Sequence, residues 1–154
     1  MASATYLQSL DSTYEDGTSR GVTPSNRRQT EIFIASAPIV AGDAVSLDTS
    51  QSADGDKALF VLPADTSAQT SKCFVGIALE AAAAAGDQIK VCVAGVCDAN
   101  IKAGQCASAG INLMIETGGE MQDYAAGSVL QNACISCEAR QADGKATVIV
   151  FKQF

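Results

Sequence analysis

Residues 74–96, FVGIALEAAAAAGDQIKVCVAGV, restrict the fold more than any other part of the chain. Val75, Ile77 and Leu79 alternate with smaller residues, the period-two pattern of a pleated, half-buried strand. Glu80 ends that run. The small-residue turn AAAAAGD closes on Gly86, which accepts a positive φ without a Cβ clash. Ile89, Val91 and Val93 then begin a return strand. A helical turn over residues 81–85 is the competing reading. Those five alanines fall far short of the roughly 12–15 residues that an isolated helix needs.

The same plan recurs 58 positions on, where Ile135, Glu138, Ala139 and Gly144 stand in the places of Ile77, Glu80, Ala81 and Gly86. TVIVF follows there as IKVCV follows in the first unit. Each unit is preceded by an Ala-Gly step expected to start a strand, AGDAVSLD from Ala41 and AGQCASAG from Ala103. Two similar β units in tandem, built by duplication, account for this pattern.

The remaining segments are short as well. EIFIASAPIV (31–40) sends Ile32 and Ile34 one way and Phe33 and Ala35 the other, and Pro38 makes it an edge or kinked strand. A Gly42-Asp43 turn leads to Val45 and Leu47 on one face. Asp54-Gly55 is a turn signal, and ALFVLP (58–63) is an apolar strand. INLMIET (111–117) reads as a strand, Gly118-Gly119 as a hairpin turn, and TVIVFKQF (147–154) as a last strand paired in a sheet. About ten short strands separated by turns at intervals of roughly 8–12 residues are the signature of an all-β sandwich or barrel.

Residues 1–30 differ in character from residues 31–154. The lead is polar, with Gly17, Gly21 and Pro24 and little periodicity. It reads as an arm that orders on a partner, as a plain tail, or as a real first element of the fold. Tyr6, Leu7, Leu10 and Tyr14 supply a sticky face at roughly helical spacing, and Arg20, Arg27 and Arg28 bring positive charge to an acidic protein. Of these, Tyr6, Leu7, Leu10 and the three arginines are the candidate contact residues of the arm.

The net charge of −7 argues against a nucleic-acid surface. No apolar run reaches the roughly 20 residues that span a bilayer, and no secretory signal opens the chain, so synthesis in a cytosol is expected. There is no His, which removes His-based triads and His-ligated zinc. Asp54 and Asp56 flank Gly55 but lack the further ligands of a calcium loop. No glycine pattern matches a phosphate loop. The sequence is therefore read as non-enzymatic, with no cofactor and no metal.

Six cysteines, at 73, 92, 97, 106, 134 and 137, raise two further readings. Cys134-x-x-Cys137 has zinc-knuckle spacing, with Cys92 and Cys97 as the other thiolates. Ile135-Ser136 reads as strand, however, and strand positions three apart face opposite sides. Cys92 and Cys97 sit opposite each other if Ala94-Gly95 is a hairpin turn; they are expected to diverge if the strand runs through Gly95 with a bulge. Small apolar core filler in a reducing compartment is the preferred role.

SAPIVAGDAVSLD is similar to the first motif of the trimeric all-β dUTP pyrophosphatases, but their Tyr-centred uracil pocket and Gly-rich Arg-Ser-Ser tail are missing. AGDAVSLD, GIALEAAAAAGDQIKVCVAGVC and AGQCASAG together resemble the capsid decoration, or cement, proteins of tailed bacteriophages, over residues 38–151. That resemblance implies a small β-barrel or β-tulip-like domain with an extended N-terminal arm, and no catalysis. It implies homotrimers on the outer capsid surface of the virion, made in the host cytoplasm and bound to the major capsid protein. They would stabilise the shell against internal DNA pressure. The high cysteine content and the long loop at 49–56 depart from that family. The alternative is a surface-exposed β-sandwich module that binds a receptor or glycan.

Overall fold

A computed structural model of the chain describes residues 28–66, 73–125 and 132–151. Among the described residues, nine strands form one continuous sheet with the order β1-β3-β2-β4-β5-β9-β8-β6-β7. In chain order they are β1 (Arg28–Ala35), β2 (Ala44–Leu47), β3 (Phe60–Pro63), β4 (Phe74–Ala78) and β5 (Gln88–Asn100), then β6 (Asn112–Ile115), β7 (Met121–Asp123), β8 (Asn132–Ser136) and β9 (Lys145–Val150). Antiparallel pairing of β1 with β5 closes the first five strands into a barrel. Closure removes the edges that an open sheet would expose. The fold is all-β, as the strand-and-turn spacing requires. β1 begins at Arg28, three residues before the run read from Glu31, and ends before Pro38.

The two halves of the sheet mirror each other. β3-β2-β4-β5 on one side meets β9-β8-β6-β7 on the other. The β4–β5 and β8–β9 hairpins repeat the same hydrogen bonds. The N–H of Leu79 donates to the carbonyl of Lys90, and that of Cys137 to Thr147, each at 2.8 Å. Glu80 and Glu138 both reach across the turn to accept a return-strand N–H, from Lys90 at 3.3 Å and from Thr147 at 3.0 Å. Gly86 and Gly144 hold φ of 95° and 89°, the left-handed conformation expected of them. Residues 81–85 form no helix.

The Asp54-Gly55 turn signal, read within a loop, takes the form of a single helical turn, α1 (Asp54–Lys57). Two sequence expectations are corrected. The AGQCASAG step does not start a strand; a turn with Gly104 and Cys106 at positive φ intervenes, and β6 begins at Asn112. β4 is not half-buried but buried along its whole length. Phe74 and Ile77 face one apolar core, while Val75 and Ala78 face the other. A register shift between Val45 and Ser46 leaves Val75 as the extra residue. That bulge is why Val75 and Ile77, two apart, point to different cores.

Each core belongs to one half. Phe33, Val45, Val61, Ile89, Val91 and Val93 fill the closed barrel. The outer face of β2 and β4 packs on the second half, around Ile101, Leu113, Ile115, Met121, Val148 and Val150. β5 serves both cores. Its 13 residues run unbroken through Gly95, whose φ is 100°, with a register shift against β1 beside Val93. The bulge changes the parity of the strand. Ile89, Val91 and Val93 therefore face the barrel, while Cys97, Ala99 and Ile101 face the second core.

That parity change also decides the cysteines. No hairpin forms at Ala94-Gly95, yet Cys92 and Cys97 do not diverge; both lie in the second core. The Cys97 thiol beside Cys92 lowers the latter's pKa, against the opposing pull of burial and with help from the Arg28 charge. The same contact, with burial, pushes Cys97 up. Cys134 is buried and Cys137 exposed, the opposite-side placement expected of strand positions three apart. All six thiols are free.

Candidate functional site

Of the six residues expected to form the arm's contact surface, Tyr6, Leu7, Leu10, Arg20 and Arg27 lie outside the described residues. Arg28 is the first residue of β1, half-buried and paired with Gly95. β1 thus begins where β5 bends between the two cores, and its ladder with β5 continues through Ile34↔Gln88.

The described surface has several concave features. One, of about 200 Å³, is lined by Arg28 together with Gly42, Leu79, Asp98 and Lys145 among others. Another is a cleft of about 400 Å³ at the junction of the two halves, lined among others by Val40, Asn100, Thr117, Glu120, Arg140 and Asp143. Asp43 forms its floor and is only 6 % exposed. One carboxylate oxygen accepts the Val40 N–H at 2.8 Å, and the other accepts Asn100 Nδ2 at 2.8 Å. Asp43 therefore ties the β1–β2 turn to the end of β5. Both its oxygens are taken up by N–H groups, unlike the metal-associated Asp that a dUTP pyrophosphatase motif would require.

Arg140 enters the cleft from the β8–β9 turn. Its Nε donates to the Ile101 carbonyl at 2.8 Å, and its backbone N–H to the Cys106 carbonyl at 2.8 Å. The guanidinium is thereby held in place with its terminal nitrogens left for the cleft, a geometry suited to bidentate acceptors. Gly144 permits this approach: a Cβ there would lie 3.0 Å from Arg140 Nη2. Sequence reasoning did not single out Arg140 or Asn100. No motif surrounds them, and only the pairing of distant turns brings them together.

A further concavity, about 230 Å³, opens at the mouth of the barrel and is lined by Glu31, Phe33, Leu47 and Ala58. Among the described residues, no group of three or more His, Cys, Asp or Glu side chains could hold a metal ion, and no helix is long and apolar enough to cross a membrane.

No family model matches the chain, and no curated protein matches it. Among solved structures, the chain is similar to the N base of the head fibre protein gp8.5 of bacteriophage phi29. The TM-score is 0.54 at 13 % identity, over 80 % of this chain and 94 % of that one. At that identity the likeness is one of fold.

Proposed function

We propose that the protein is a structural component of a tailed-phage virion, a capsid decoration protein. It binds the outer surface of the head as a homotrimer and holds major capsid protein subunits together against internal DNA pressure. The observation that carries this reading is the likeness of nearly the whole body to the base of a phage head fibre. The motif resemblance of residues 38–151 to cement proteins supports it independently. The physics agrees. A closed barrel continuous with the second half of the same sheet, with few exposed edges, is a rigid spacer. Weak contacts repeated across an oligomer multiply through avidity, and a three-fold oligomer matches local three-fold positions on an icosahedral shell. The protein catalyses nothing in this role and binds neither nucleic acid nor membrane.

The arm supplies part of the contact. Exposed ion pairs contribute only about 0–1 kcal/mol each, so Arg20 and Arg27 act together with Tyr6, Leu7 and Leu10. The test mixes purified protein with undecorated heads and measures bound copies and resistance to heat. Full-length protein is expected to bind and protect. A form lacking residues 1–27, which keeps β1 intact, is expected to stay folded and bind poorly. If full-length protein leaves the heads bare, the assignment fails; if the truncated form binds as well, the arm has no part in it.

A second reading rests on the junction cleft, whose anchored Arg140 and neighbouring Glu120 and Asn100 suit a hydroxyl-rich ligand. A surface module for a receptor or glycan would use it. Calorimetric titration with cell-wall saccharides distinguishes the two: heat lost in Arg140→Ala supports the module, and no heat from wild type removes it.

A further inference from the structure

The second half of the sheet carries an apolar row on its outer face. The register pairs Val96 of β5 with Ile149 of β9, and Ile149 with Ile135 of β8. Their chain neighbours Cys97, Val148, Val150 and Cys134 fill the second core, whereas none of the three belongs to either core. Alternation therefore turns all three outward together. Ile149 is 38 % exposed, and Val96 and Ile135 are half-buried. Branched side chains directly opposite one another on three strands make one continuous strip.

The same face leads to a basic hollow. Lys145, Thr147 and Ile149 point the same way along β9, which sets Lys145 about 13 Å along the strand from Ile149. With Arg28, Gly42, Leu79 and Asp98, Lys145 lines the concavity of about 200 Å³. Gly42 makes a fixed wall: its N–H donates to the Ala78 carbonyl and its carbonyl accepts the Asn100 N–H, each at 2.8 Å. The carboxylate of the lining, Asp98, accepts the Thr147 hydroxyl at 3.0 Å. Lys90 and Lys102 hold ion pairs with Glu80 and Glu116. Arg28 and Lys145 hold none among the described residues, although the chain carries a net charge of −7. Two unpaired cations on one hollow of an acidic protein are complementary to an anion, and the guanidinium fork of Arg28 matches a carboxylate. The hollow is smaller than the roughly 300–1,000 Å³ of clefts for small molecules and suits a single side chain. Arg28 directly follows residues 1–27, so a partner held by that segment meets this face next.

We infer that the outer face of β5, β9 and β8 lies against the major capsid protein, with an Asp or Glu side chain of that protein entering between Arg28 and Lys145 and an apolar surface covering Ile149. An apolar centre beside a charged anchor is the usual anatomy of a protein contact. The identity of the partner rests on the decoration reading; the carboxylate site rests on the geometry.

Two measurements test this, with circular dichroism melts to show that each variant folds. In the first, hexaglutamate is titrated into the free full-length protein at low salt while amide chemical shifts are followed. An acidic protein repels this peptide elsewhere, so shifts are expected at Arg28, Gly42, Asp98 and Lys145. They should fade at high salt and in Arg28→Gln with Lys145→Gln. No shift at these positions overturns the carboxylate site. Shifts that appear only once residues 1–27 are removed assign the hollow to that segment, which holds Asp11, Glu15 and Asp16, and overturn the inference too. The second measurement counts copies bound to undecorated heads. Lys145→Glu and Ile149→Asp are each expected to weaken binding at least about tenfold. Leu59→Asp, an exposed position bonded to Ile34 at the far end of β1, is expected to leave it unchanged. If wild type, Lys145→Glu and Ile149→Asp all bind alike, the shell contact lies elsewhere and the inference falls with decoration intact. Wild type that leaves heads bare refutes the decoration reading and the shell as partner, and the peptide titration alone then decides the carboxylate site.

Discussion

Gly76 lies in the middle of β4, where the strand is buried on both sides. A Cβ at this position would sit 2.0 Å from the carbonyl oxygen of Cys92 and 3.0 Å from Val91 Cγ1. The obstacle is backbone of β5, not the tip of a flexible side chain. Relief requires the strands to part by more than about 1 Å. Overpacking of this kind costs about 1–3 kcal/mol, and weakening the adjoining ladder hydrogen bonds adds about 0.5–1.5 kcal/mol each. Gly76→Ala should therefore destabilise the fold by about 3–5 kcal/mol, a large part of a stability of about 5–15 kcal/mol. At about 2–4 °C per kcal/mol for a chain of this size, the melting midpoint falls by roughly 6–20 °C. Gly86→Ala is the internal comparison. It has open space around its Cβ but a φ of 95°, so only the left-handed penalty of about 1–2 kcal/mol applies. Denaturant and thermal melts followed by circular dichroism measure both. If Gly76→Ala costs no more than Gly86→Ala, the close approach of β4 to β5 is not what requires glycine there.

Asp48 gives a pH signature. Burial pushes its carboxyl up, but hydrogen bonds from Ser50, Ser36 and Gln51 outweigh burial and hold it at about 2. A folded-state pKa below the ordinary value means that this contribution is present above about pH 4 and is lost as pH falls towards 2. Asp48→Asn should cost about 1–3 kcal/mol at pH 7 and progressively less in acid; a penalty that does not change with pH counts against the network. Among the thiols, exposed Cys137 should be labelled first by a disulfide reagent, slowly at neutral pH because burial and then the Glu138 charge raise its pKa. Cys92, Cys97, Cys106 and Cys134 should react only on unfolding, and their rapid labelling in the native protein would contradict the second core. Glu138 accepts both the N–H and the hydroxyl of Thr147, at 3.0 and 2.9 Å. Glu138→Gln should therefore lower the melting midpoint more than Glu80→Gln, whose ion pair with Lys90 is exposed; equal effects would mean that the two turns are equally strong and that the extra Thr147 hydrogen bond adds nothing.

The sequence by itself determined the local elements. Alternation marked where β1, β2, β5 and β9 run, and glycines 86, 118, 119 and 144 marked where the chain turns, because a side-chain period of two and a positive φ are properties of a few adjacent residues. The repeat was legible for the same reason: Ile77, Glu80 and Gly86 and their counterparts perform local tasks within a hairpin. The tertiary structure decided what depends on non-local pairing. The closure of β1 on β5, the parallel match of β1 with β3, and the meeting of Asp43, Asn100 and Arg140 join segments that carry no mark of one another. Two bulges decided the rest. One extra residue at Val75 sends Val75 and Ile77 to different cores, and one at Val93 lets two thiols expected to diverge share a core; β4, read as half-buried, is buried throughout because a core lies against each of its faces. A bulge arises from competition between neighbouring strands for register, and that competition exists only once the sheet is assembled.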